Sequence, residues 1–158
     1  IMIPVSAPEL LVGVALLMFF LMINFTLGMT SIILAHTAFC LSFVTISVKT
    51  RMYGMDESLV DAARDLGASP TKAFFWVLVP TILPGIIAGW LMAFTLSLDD
   101  FVITFFTSGV GSTTLPLAIY SMLKIGVTPE VNAISTIIIL VTLVLTTLAT
   151  KLSKTNAK

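Results

Sequence analysis

The sequence predicts an all-α fold, a polytopic transmembrane helical bundle, from its composition, the length of its apolar runs and the placement of its positive charge. Of 158 residues, 58% are hydrophobic and 10% charged, with a mean hydropathy of +1.11, whereas soluble domains run at about 45–50% apolar and about 25% charged. Four runs qualify or nearly qualify for the roughly 20 apolar residues that a helix needs to cross a hydrocarbon core of about 30 Å. Eight Lys+Arg balance eight Asp+Glu, so no global field points to nucleic acid as a partner. The single cysteine, Cys40, allows neither an internal disulfide nor a multi-thiolate metal site. The chain opens on Ile1 and an apolar segment with no charged n-region or small-residue cleavage site, and is expected to be a fragment missing its N-terminal part.

The first run, about residues 8–25, carries Glu9 near its start and ends at Asn24-Phe25-Thr26-Leu27-Gly28, a turn with room only for a hairpin between adjacent helices. The second, about 29–48, contains His36 and Cys40 but no formal charge. These two stand one turn apart, and with no second His or Cys anywhere a core histidine is favoured over a metal or nucleophile pair. The third run, about 81–106, is interrupted by Asp99 and Asp100, after which FVITFF continues it. Within it Gly85 and Gly89 form a small-xxx-small pattern that lets helix backbones approach closely, either inside the chain or at a subunit interface. The fourth, about 130–150, is the cleanest; Thr128 supplies an N-cap, Pro129 the first helical position and Glu130 a carboxylate at the positive end of the dipole.

Lys49, Arg51, Arg64 and Lys72 fall between the second and third runs, and Lys151, Lys154 and Lys158 follow the fourth; only Lys124 lies elsewhere. The positive-inside rule therefore places residues 49–80 and the C-terminus in the cytoplasm. Four spans then put the turn near Thr26 and the segment 107–129 outside and the start of the chain inside. The external segment, GVGSTTLP followed by amphipathic LAIYSMLK, has no lysine after its glycines and so no phosphate-binding loop; it is expected at the outer interface.

The cytoplasmic loop reads as helix, turn, helix. Leu59, Ala62, Ala63 and Leu66 recur at helical spacing, with Asp61, Arg64 and Asp65 elsewhere around the cylinder. Ser58 and Asp61 fit a capping box, and Gly67 is placed for a left-handed C-terminal cap. Ser69 can cap a second helix with Pro70 at its first position, and Ala73, Phe74, Trp76 and Val77 give it an apolar face. Pro80 and Pro84 mark entry into the third span. Two helices this short cannot form a domain, and their apolar faces call for a partner surface.

Asp61-Ala62-Ala63, three residues, Gly67, nine residues, Val77, one residue, Val79-Pro80 resembles the cytoplasmic EAA motif of inner-membrane permease subunits of binding-protein-dependent ABC importers. That motif runs Glu-Ala-Ala, three residues, Gly, nine residues, Ile, one residue, Leu-Pro; Asp here replaces Glu, and Val replaces Ile and Leu. The stretches HTAFCLSFV, AARDLGASP, AGWLMAFTLSLDDFVITFF and LPLAIYSMLKIGVTPEVNA look like the spermidine/putrescine permeases of that family over most of residues 30–135. Those permeases have six spans, so the chain is expected to hold the last four. The resemblance implies a MetI-like permease in the bacterial inner membrane, a transport subunit with no catalytic residue, metal or cofactor of its own. Loop 56–80 would be its coupling helix, docking in a cleft of the ATPase through Asp61, Ala62, Ala63, Gly67, Val77, Val79 and Pro80. Partners implied are ABC ATPase subunits, a second permease subunit, a periplasmic or extracellular polyamine-binding protein and membrane lipid.

Asp99 and Asp100 carry the question of cargo. Charges at bilayer depth cost about 2.5–3.5 kcal/mol on insertion scales and so face a cavity, a partner or a pathway. Counting from Ile82 puts them about 25 Å along the helix, toward the outer side where a delivered substrate arrives. Adjacent helix positions differ by about 100°, so one carboxylate can meet a cationic substrate while the other bonds a neighbouring helix. Ammonium groups spaced by methylenes suit carboxylates and aromatic rings, which makes Asp99, Asp100, Trp90, Phe94 and Phe101 the candidate substrate pathway. The alternative is a structural carboxylate satisfied by Lys124 or by a helix start. An importer of another small solute (an iron chelate, sulfate or another organic cation) is the second functional reading. An intramembrane aspartyl hydrolase needs carboxylates on different helices converging on one water, which adjacent aspartates cannot supply. A membrane scaffold explains the spans and leaves the loop unexplained.

Overall fold

The structure, a computed structural model, describes residues 8–56, 58–126 and 129–155, and among them there are helices and turns but no strand. In chain order these are α1 (Glu9–Met22), α2 (Met29–Tyr53), α3 (Ser58–Asp65), α4 (Pro70–Asp99), α5 (Val102–Thr107), α6 (Leu115–Ile125) and α7 (Pro129–Thr155). By length and composition α2, α4 and Val131–Leu148 of α7 can cross a membrane, while α1 is a shorter apolar helix of 14 residues. The cap expected from Thr128 and the side chain of Glu130 lie outside the described residues, as does the start of the chain.

Two boundaries differ from the sequence expectation, each for a local reason. The second cytoplasmic helix is not separate from the third span: α4 runs unbroken for 30 residues from Pro70 to Asp99. Pro80 has no N–H, and its ring crowds the carbonyl four residues back. The helix responds by widening into a π-turn over Phe74–Leu78, where the Val79 N–H donates to the Phe74 carbonyl five residues earlier. The expected 81–106 span, in turn, stops at Asp99; Asp100 is extended (φ −62°, ψ 124°) and a separate short helix follows. An aspartate side chain competes for backbone N–H groups and so favours helix starts over helix interiors.

α2 and α4 pack closely together. A Cβ on Gly85 would stand 2.7 Å from Arg51 Cβ and 3.2 Å from the Ser47 carbonyl oxygen, and one on Gly89 would stand 3.2 Å from Val44 Cα. The small-xxx-small pattern thus packs inside the chain. The Ser47 hydroxyl donates to the Gly85 carbonyl at 3.0 Å and Arg51 Nε to the Thr81 carbonyl at 3.1 Å, the close packing plus hydrogen bonding that replaces the hydrophobic effect between helices in lipid. α1 ends with Asn24 in the left-handed region (φ 53°), its N–H bonding the Leu21 carbonyl and that of Phe25 the Phe20 carbonyl. That turn folds α1 against α5, and Phe20, Ala35, Phe39 and Ile103 form a buried cluster where α1, α2 and α5 meet. Ser31 ties the layer together, accepting from the Gly28 N–H and donating to the Thr107 carbonyl, both at 2.7 Å. Residues such as Ile137, Ile139 and Leu143 on α7 stay exposed, as expected where the surroundings are lipid or other helices.

Candidate functional site

Between α3 and α4 the motif residues sit on a turn built from backbone chemistry. α3 stops in a Schellman motif: Gly67 has φ +86°, its N–H bonds the Arg64 carbonyl at 2.9 Å, and the Ala68 N–H bonds the Ala63 carbonyl at 3.0 Å. Ser69 then caps α4, accepting from the Lys72 N–H, with Pro70 behind it. The other end of α3 departs from expectation. Instead of a Ser58–Asp61 box, the acceptor is Asp56, whose Oδ1 takes the Ser58 N–H at 3.0 Å and whose carbonyl takes that of Leu59 at 3.2 Å. Hydrogen bonds from the Ser58 hydroxyl and N–H hold the Asp56 carboxyl below its ordinary range. Its support for α3 is therefore complete above the unfolded carboxylate range and is lost as pH falls through the lower folded value. Protection of the Ser58 and Leu59 amides, measured against the intrinsic exchange rate at each pH, is expected to fall on acidification below pH ~4, and Asp56→Ala should remove that loss.

Asp61 and Ala62 are exposed and Ala63 is half-buried. Among the described residues no ion pair joins Asp61 to Arg64, which leaves the carboxylate open to an outside partner. Leu66 (89% exposed), Trp76 (81%) and Phe75 point away from the chain's own packing. Val77 and Val79 are half-buried along α4, and Pro80 is exposed. The motif therefore bridges α3 and the root of α4.

At the far end of α4 the two aspartates part company. Asp100 is turned inward, its side chain 5% exposed. Its Oδ1 accepts the Ile103 N–H at 3.2 Å, and its Oδ2 accepts the Thr104 N–H and hydroxyl, each at 2.8 Å. It is the cap of α5. Because the Thr104 hydroxyl proton points to Asp100, its oxygen accepts from His36 Nε2 at 2.8 Å, a nitrogen also 3.2 Å from Asp100 Oδ2. His36 Nδ1 meets the Ser97 hydroxyl at 2.8 Å. One imidazole thus joins α2 to both sides of the break between α4 and α5.

Asp99, the last residue of α4, is exposed instead and lines a groove of about 340 Å³ with Phe101, Tyr120, Leu123 and Ile139. Trp90 and Phe94, stacked with centroids 5.9 Å apart, line a different groove of about 390 Å³ beside His36, Thr37 and Ser97. The five candidate pathway residues therefore divide: two in each groove, and Asp100 behind the break. Lys124 lies over the Tyr120 ring, 4.9 Å from its centroid, and among the described residues no ion pair links it to either aspartate. No group of three His, Cys, Asp or Glu suited to a metal occurs among the described residues.

Residues 1–154 match the family described as the inner membrane component of binding-protein-dependent transport systems. The chain belongs to that family. Within it, the chain is 43% identical over 95% of its length to a spermidine/putrescine transport system permease protein PotC of Haemophilus influenzae, covering 58% of that protein. It is 44% identical over 86% of its length to a putrescine transport system permease protein PotI of Escherichia coli, covering 50% of it. A third relative, PotC of Escherichia coli, is 41% identical over 88% of this chain and 53% of its own. The chain thus spans about half the length of the curated relatives it matches. Membership makes it an inner-membrane component, and its relatives are transport permeases.

The sequence reading missed the partners that give the outer site its shape. His36 stood out only as a lone histidine, and neither Ser97 nor Thr104 stood out at all. An aspartate directly before an apolar run, Asp100 before FVITFF, is the local signal of a helix start that could have ended the third span at the right place.

Proposed function

We propose that this chain is part of the permease subunit of an ATP-driven importer that moves spermidine and putrescine across the inner membrane, coupled through loop 56–80 to separate ATPase subunits. A second permease subunit would complete the path, and an external polyamine-binding protein would deliver the cargo. The continuity of α4 supports this most. Its cytoplasmic root carries the exposed apolar surface of Phe75 and Trp76, and its far end, 30 residues on, carries Asp99. A push on the loop reaches the outer carboxylate through about 45 Å of unbroken helix. The cargo assignment rests on the relatives' printed substrates and on the sign of the aspartates. Asp99 and Phe101 would meet the cation on one side of α4, Trp90 and Phe94 on the other, with Asp100 holding the break between α4 and α5. In proteoliposomes, the full-length permease assembled with its ATPase, partner permease and binding protein is expected to accumulate labelled spermidine only with ATP. ATP-dependent uptake of sulfate or an iron chelate in place of polyamine would overturn the cargo assignment.

A further inference from the structure

We infer that the π-turn over Phe74–Leu78 is a register joint in α4, at which the loop carrying the Asp61–Pro80 motif turns against the rest of the helix, and that Arg51 is the positioning residue holding the far side still; this rests on the coupling reading above. The two sides of the joint are anchored differently. On the near side the first turn of α4 is capped by Ser69 and packs, with the π-turn, against α3. On the far side α2 grips the helix backbone. Arg51 Nε donates to the Thr81 carbonyl at 3.1 Å and the Ser47 hydroxyl to the Gly85 carbonyl at 3.0 Å. The Arg51 stem also closes over Gly85, where an added Cβ would stand 2.7 Å from Arg51 Cβ. Thr81 and Gly85 cannot roll or slide past α2 without breaking these bonds.

Between the two anchors the helix can change register. Phe74, Phe75 and Trp76 are exposed, so their movement breaks little of the chain's own packing. A π-turn holds an extra residue relative to an α-turn. Closing it advances the near side by one helical position, about 100° of rotation and about 1.5 Å of rise. In an uninterrupted helix the α register wins. Here Pro80 offsets that preference, because it has no N–H to offer the Trp76 carbonyl and its ring crowds that oxygen. The Thr81 hydroxyl, donating to the Val77 carbonyl at 2.7 Å, supports the turn across the proline. The π register is therefore the resting one. A partner that binds the turned loop better, through α3, Phe75 and Trp76, closes it.

The test uses the complete importer in proteoliposomes, with a full-length permease free of native cysteines and spin-labelled at Thr50 of α2 and Thr71 of α4, both exposed. The distance between the labels is expected to differ by several ångströms between the nucleotide-free and ATP-trapped states. Pro80→Ala should bring the nucleotide-free distance to the ATP-trapped value. It should also lower uptake per ATP hydrolysed by about tenfold or more, since removing an interior proline shifts a helix equilibrium by more than that factor. A Pro80 that served only to touch the ATPase would leave the nucleotide-free distance of Pro80→Ala at the wild-type value, and that result overturns the joint. Arg51→Ala should broaden the distance distribution and lower uptake per ATP, and Arg51→Lys, which can still donate to the Thr81 carbonyl, should restore part of both. Equal label distances in the two states of the wild-type importer would overturn the joint, and normal coupling in Arg51→Ala would overturn the role of Arg51. If Gly67→Leu is uncoupled while Pro80→Ala couples normally, the joint falls and the coupling reading stands; if both couple normally, both fall.

Discussion

Gly67→Leu is expected to leave the chain in the membrane and to uncouple ATP hydrolysis from uptake in the proposed importer. The effect is a backbone one. A Cβ at Gly67 would meet nothing within 4 Å, but the residue sits at φ +86°, in the left-handed region that costs an L-residue roughly 1–2 kcal/mol. Relief of that strain breaks the bonds from the Gly67 and Ala68 N–H groups to the Arg64 and Ala63 carbonyls, and with them the angle between α3 and α4. A penalty of this size shifts the correctly turned population by about 5- to 30-fold. Uptake should fall accordingly in reconstituted complex, while basal ATPase activity survives. Asn, which tolerates left-handed backbone as Asn24 does here, should retain most of the coupling. If Gly67→Leu kept normal uptake and normal substrate-stimulated hydrolysis, the turn would have no part in coupling.

Asp100→Ala is expected to destabilise the outer half of the bundle by about 2–4 kcal/mol, combining a lost helix cap with buried donors left unpaired. The donors are the Ile103 and Thr104 N–H groups, the Thr104 hydroxyl and the His36 imidazole. Thermal unfolding of the protein in detergent should show a clearly lowered midpoint. Asp100→Asn keeps an acceptor oxygen for the cap and should fall between that variant and wild type. His36→Ala should share part of the loss, because it removes the link between Ser97 and the start of α5. An unchanged midpoint in Asp100→Ala would mean that the network contributes no stability.

Much of the molecule was legible in the sequence because membrane helices are specified by local quantities. Hydropathy and length marked the apolar runs, and Lys and Arg placement gave them an expected orientation. Gly67, Ser69 and Pro70 fixed a turn whose hydrogen bonds all lie within a few residues of one another. The spacing from Asp61 to Pro80 was visible for the same reason, and it led to the right family. The errors were also local in origin. Pro80 was read as a boundary when a π-turn absorbed it, and Asp100 as a span residue when it starts a helix.

Other features depended on residues far apart in the chain. Whether Gly85 and Gly89 serve a subunit contact or an internal one was decided by Ser47 and Val44 on α2. Which aspartate is structural was decided by His36, 64 positions before Asp100, and which faces a groove by Tyr120 and Ile139 on α6 and α7. The sequence by itself determined a helical inner-membrane protein and the turn at Gly67, since hydrophobic length and capping act over single helices. Only the tertiary structure separated Asp99 from Asp100, because adjacent carboxylates are chemically identical until packing supplies hydrogen-bond donors to one and leaves the other facing open space.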